Sequence, residues 1–184
     1  MATVPTRATL DDLHGVEGKA ELIGGRIVNL MSAGDLPTDV ANEIFASLRA
    51  YVKTTGKGIA KADGIGYAVP ELPSGRESFS PDASYYNGPR PANPMRFIQG
   101  PPTFAAEVRS ENDYGPAAEA EMAAKRDDYF AAGTLVVWDV DPLAETVTVY
   151  RPASASVTYR RGDIADAEPA VPGWRVAVDE LFQR

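Results

Sequence analysis

Cysteine is missing from this chain altogether, which removes disulfides, zinc–thiolate sites and thiol nucleophiles at once. The absence fits a reducing cytoplasm. Histidine is nearly missing too, and the single one, His14, cannot build a multi-histidine metal site. A Ser-His-Asp triad would have to use it, yet no Gly-x-Ser-x-Gly elbow supplies a serine. Set in TLDDLHGV, His14 reads as a solvated or helix-end residue. Basic charge is scarce: 18 Lys and Arg stand against 26 Asp and Glu, a formal net charge of −8. Nucleic-acid binders usually show the opposite balance. Phosphate contact would need a local strip, for which Lys53, Lys57 and Lys61, or Arg90 and Arg96, are candidates. No apolar run approaches the ~18 residues that span a bilayer, and MATVPTRATLDD lacks the basic-then-apolar pattern of a signal peptide. These absences predict a cytoplasmic protein with no membrane partner.

What is present is enough for one domain over residues 1–184, since a chain of this length hides roughly 70% of its unfolded surface. Thr9, followed by Asp11 and Asp12, opens a short helix over 9–16. Glu21–Ile23 and Arg26–Leu30 flank Gly24-Gly25 and read as a hairpin. Apolar side chains at Val40, Ile44, Phe45, Leu48, Tyr51 and Val52 predict a helix over 38–54, stopped by Gly56. Ile59–Val69 reads as one or two strands, and ELPSGRESFSP as a loop. Asp82–Tyr86 and Thr103–Val108 are strands, joined by a segment with five prolines that reads as an exposed connection. An alanine-rich helix over 117–132 ends at Gly133, and Leu135–Val140 is a central strand. Thr146–Tyr150 and Val157–Arg160 make a late hairpin, and Trp174–Val178 leads into a last helical turn. Interleaved helices and strands predict an α/β fold, a mixed β-sheet flanked by helices.

Two acids stand out by context. Asp82 follows Pro81 at a strand start, and Glu107 lies inside the apolar strand TFAAEV. An acid in such a strand is costly unless it is paired, metal-bound or at a sheet opening. On neighbouring strands the two carboxylates would repel, and a divalent cation such as Mg²⁺ would relieve that. The plain alternatives are a strand-start cap for Asp82 and an ion pair with Arg109 or Lys125 for Glu107. Asp139 and Asp141 read as strand-end and turn acids, and Ser110–Asp113 as a turn before the helix.

Pro81-Asp82 with Glu107-Val108-Arg109 resembles the Pro-Asp…(Asp/Glu)-x-Lys pattern, PD-(D/E)XK, of the restriction-endonuclease-like superfamily. The likeness narrows further. AELIGGRIVNLM, FSPDASYY, PPTFAAEVRSEND, AAKRDDYFAAGTLVVWDVDP, VTVYR and VPGWRVAVDELF are similar, in order and spacing, to the Uma-type restriction-endonuclease family, a domain of unknown function. The resemblance covers roughly residues 9–183 and implies a restriction-endonuclease-like domain that cuts phosphodiester bonds with metal help. It implies Asp82 and Glu107 as metal ligands, with Glu21 a further ligand or water-positioning group. The lysine expected two residues after Glu107 is Arg109, which hardly ever gives up its proton. The family's Lys-x-x-x-Tyr pattern offers Lys125 instead, with Tyr129 on the same helical face.

The leading expectation is therefore a Mg²⁺-dependent endonuclease (Mn²⁺ an alternative ion) acting on DNA as a homodimer. Arg109, the acidic charge and the lack of a histidine in LPTDVANE keep a second one open, a nuclease fold retained for binding or dimerisation. A carboxylate-pair glycosidase is a third.

Overall fold

The computed structural model describes residues 7–183. The opening residues 1–6, read above for their lack of a signal-peptide pattern, lie outside that range. The chain starts with α1 (Leu10–His14), capped by the Thr9 hydroxyl and the Asp12 carboxylate in a reciprocal box. The ribbon β1 (Ala20–Ile23) and β2 (Arg26–Asn29) follows. Gly24 and Gly25 both have positive φ, +58° and +69°, as a two-residue hairpin turn of this hand requires. Next come α2 (Asp35–Thr55), β3 (Ile59–Ala62), β4 (Tyr67–Ala68), β5 (Ser78–Phe79), β6 (Ala83–Tyr86), β7 (Ile98–Gln99) and β8 (Phe104–Val108). The second half holds α3 (Pro116–Ala132), β9 (Val136–Asp141), β10 (Thr146–Tyr150), β11 (Val157–Arg160), β12 (Ile164–Asp166), β13 (Arg175–Ala177) and α4 (Val178–Leu181).

Six strands form the main sheet in the order β11-β10-β9-β8-β6-β3. Only the β8–β9 pair is parallel; α3 is the crossover that such a pair needs. One sheet face packs Ala83, Tyr85, Phe104, Ala106, Trp138 and Val140 with the α2 residues Val40, Ile44 and Leu48. The other face places Tyr86, Ala105 and Val137 in a second cluster with Tyr129 of α3 and Tyr67 and Phe79 of a small three-stranded sheet. Among the described residues no helix is long and apolar enough to cross a membrane.

The mixed sheet, both hairpins and the two long helices match the expectations, with α2 beginning three residues earlier. Four differences matter. The supposed loop 71–81 contains β5, and the proline-rich connection contains β7, whose Ile98 is buried. Both are two-residue strands, too short for an alternation signal to register. Residues 59–69 divide between two sheets, and β13 finds an unforeseen partner in β12.

Candidate active site

Strand alternation decides which side chains meet. Ala83 pairs with Ala106, so one step outward Asp82 lies beside Glu107. Glu107 in turn is in register with Asp139 of β9. Three acids thus form a row across β6, β8 and β9 on the sheet face that carries α3. Each is met by a cation: Asp82 by Lys19, Glu107 by Lys125, and Asp139 by Arg109.

Asp82 is clamped on both oxygens. Its Oδ2 accepts the Val108 backbone N–H at 2.8 Å, and its Oδ1 accepts from the Lys19 ammonium at 2.6 Å. The strand bearing Glu107 therefore fixes the Asp82 carboxylate. Glu107 accepts from the Tyr129 hydroxyl at 2.6 Å and from Lys125 at 2.9 Å. Lys125 also lies 3.3 Å from Glu21 Oε1. Burial pushes the Glu107 carboxyl above the ordinary range, and Asp82 and Glu21 add to the rise against the pull of Lys125. Burial works to lower the Lys125 ammonium, but Glu107 and Glu21 outweigh it and hold it above its usual range. Lys125 is thus a fixed positive charge and a hydrogen-bond donor here.

Glu21, on β1, is buried at 2% exposure. Its Oε1 accepts the Ser80 N–H at 2.9 Å, and its Oε2 is engaged by Arg76. Burial would raise its pKa, but Lys125 and Arg76 bring it below the ordinary carboxylate value. Arg76 continues to Asp128 on α3, Nε to Oδ2 at 2.9 Å. An alternating chain of charge results: Asp128, Arg76, Glu21, Lys125, Glu107. Lys19 bridges Asp82 and Asp63 beside it. Five carboxylates share three cations, an excess of two negative charges.

The five residues Glu21, Asp82, Glu107, Lys125 and Tyr129 are therefore brought together. Arg109 is not. It makes a two-pronged contact with Asp139, at 2.8 and 2.7 Å, and also reaches Glu119 of α3. Its guanidinium is only 12% exposed, so neither solvent nor a free phosphate site describes it; it ties β9 to α3. Asp139 is correspondingly a buried partner and not a strand-end acid, whereas Asp141 does cap the following turn, accepting from Leu143 and Ala144. Asp113 closes the expected turn by accepting the Ser110 N–H at 2.7 Å. His14 is a helix-end residue, its Nε2 accepting the Phe97 N–H at 3.3 Å. Arg96 is occupied by Asp11 at 3.1 Å.

Sequence reasoning missed Lys19, Asp63, Arg76 and Asp128. Lys19 had a signal: it is two residues before Glu21, so hairpin alternation puts both on one side. Asp139 had one as well, being an acid inside an apolar strand like Glu107. Arg76, in a turn-rich segment, had none.

A family model described as "Uma2: Putative restriction endonuclease" matches residues 8–179. The chain belongs to this family. The Uma2 fold is supported independently by a crystal structure described as "a putative nuclease belonging to DUF820 from Anabaena variabilis ATCC 29413". That structure is 20% identical, with a TM-score of 0.74, and the match covers 95% of this chain and 97% of the other. At that identity it speaks for the fold alone. No curated protein matches the chain. Among the described residues no three of His, Cys, Asp or Glu are gathered as a metal-holding group. Two hard-oxygen carboxylates fit Mg²⁺, which is commonly held by one or two of them and keeps several waters.

Proposed function

We propose that the chain is a Mg²⁺-dependent endonuclease, with Mn²⁺ an alternative ion, that hydrolyses phosphodiester bonds in DNA at Asp82 and Glu107. The observation that carries this reading is the acid pair on adjoining strands with Lys125 donating into it, in a cluster with two carboxylates more than cations. In this reading Asp82 and Glu107 hold the ion, which would supply Lewis-acid stabilisation of the charge that builds on the phosphate. Lys125 donates a hydrogen bond to the attacking water beside Glu107. Tyr129 fixes the Glu107 rotamer through its hydroxyl. Of the two roles open to Glu21, positioning fits better than ligation, because its side chain is 2% exposed and held by Arg76, Ser80 and Lys125, whereas those of Asp82 and Glu107 are 18% and 20% exposed.

DNA cleavage with Mg²⁺ tests the proposal. Asp82→Ala and Glu107→Ala should each lower the rate by roughly 100-fold or more. Equal residual activity in all three proteins would remove the assignment.

One observation favours a second reading, a nuclease fold kept as a binding or dimerisation module. Every oxygen of Asp82 and Glu107 has a protein donor. Titration calorimetry with Mg²⁺ separates the two: heat that Asp82→Asn abolishes counts against the module. Pairing of two copies, which duplex cutting would use, is read by gel filtration with light scattering.

A further inference from the structure

Lys19 sits where an ion held by Asp82 would have to contend with it. Its ammonium is 2.6 Å from Asp82 Oδ1. An ion ~2.1 Å from that oxygen would stand no more than about 4.7 Å from the ammonium, and like charges that close repel. The other oxygen, Oδ2, is committed to the Val108 N–H. Lys19 also has a second carboxylate at hand. Asp63 Oδ1 is 2.7 Å from the same ammonium. Asp63 is half-exposed, at 51%, and its side chain is anchored at the turn after β3 by the Gly64 N–H at 2.8 Å. Lys125 has no comparable alternative: both its carboxylates, Glu107 and Glu21, lie inside the cluster.

We infer that Lys19 is a resident counter-cation: it neutralises Asp82 in the metal-free protein and withdraws to Asp63 when a divalent ion binds. The inference rests on the proposed metal role of Asp82. It assigns Lys19 and Asp63 opposite effects although neither touches the ion. Lys19 keeps two repelling acids in place while the ion is absent, and Asp63 makes its withdrawal cheap by keeping the ammonium paired. Apparent affinity then equals intrinsic affinity scaled by the fraction of molecules in which Asp82 is free of Lys19.

Calorimetry with Mn²⁺ on the full chain tests this, using the unaltered protein, Lys19→Gln, Asp63→Asn, the double variant and Asp82→Asn. If Lys19 covers Asp82 nine-tenths of the time, Lys19→Gln tightens Mn²⁺ about 10-fold. Asp63→Asn, at an exposed position, weakens it several-fold. In the Lys19→Gln background the Asp63→Asn effect disappears, because Asp63 acts through Lys19; a long-range field effect would persist there. Unchanged or weaker affinity in Lys19→Gln, or an equal Asp63→Asn effect in both backgrounds, overturns the inference. Should Lys19→Gln not fold, a crystal of the unaltered protein with Mn²⁺ decides. Lys19 should be off Asp82 and on Asp63; an ammonium still bonded to Asp82 beside the bound ion overturns the inference. Mn²⁺ binding that is absent, or indifferent to Asp82→Asn, overturns the proposed function itself and this inference with it.

Discussion

The two long helices cover opposite faces of one sheet and are held there by different forces. Helix α2 buries Val40, Ala41, Ile44 and Leu48 along one stripe, the spacing of an amphipathic helix. Helix α3 buries only Tyr129. Beyond the apolar cluster that Tyr129, Phe130 and Ala132 join at its end, its attachments are polar: Glu119 to Arg109 near its start, Lys125 to Glu107 and Glu21 in the middle, and Asp128 to Arg76 near its end. Apolar burial is non-directional and serves a helix whose task is to cover the sheet. Charge-assisted hydrogen bonds fix direction and serve a helix that must aim Lys125 and Tyr129 at one carboxylate.

The contrast can be broken most severely at Arg76. Arg76→Ala leaves Glu21 and Asp128 without their shared cation, and losing one partner of a buried pair costs roughly 3–5 kcal/mol. Chemical denaturation should show that loss, and hydrogen exchange should show α3 opening ahead of α2. Leu48→Ala attacks the other helix. Urea unfolding should give about 2–5 kcal/mol for the cavity, while the Mn²⁺ affinity of the folded fraction stays unchanged. Arg109→Met leaves the buried Asp139 carboxylate without its cation, a cost of about 3 kcal/mol, the low end for an uncompensated buried charge. It should loosen the start of α3 and reduce cleavage without touching the acids, which thermal melts and rate measurements on the same preparation would show. Glu119→Gln is the mildest. Glu119 is itself half-exposed, so stability should change by no more than about 1 kcal/mol. Adding 0.5 M salt should erase even that difference.

The same contrast explains what the sequence made legible. Helix α2 announced itself through periodic apolar residues. Asp82, Glu107, Lys125 and Tyr129 could be found because each sits in a short motif whose order resembles a family. Lys19, Arg76, Asp63 and Asp128 belong to pairings that span 52 to 63 positions or cross between loops. A charged residue in a turn looks the same whether it faces water or locks a helix. Arg109 shows the limit in the other direction. Its motif position suggested a stand-in for a catalytic lysine, yet Asp139, 30 positions away, takes it. Only the parallel register of β8 and β9 brings the two within reach.

The alternating chain of charge also bears on biosynthesis. Glu21 and Glu107 emerge from the ribosome before Lys125, which they share. Glu21 already has Arg76, but burying Glu107 without Lys125 would strand a charge in the interior, so the surroundings of Glu107 close only once residues 116–132 have been made. A nascent chain interrupted before α3 carries Glu21, Asp82 and Glu107 but lacks Lys125 and Tyr129. The geometry around Glu107 is thus deferred until synthesis is well past the midpoint of the chain.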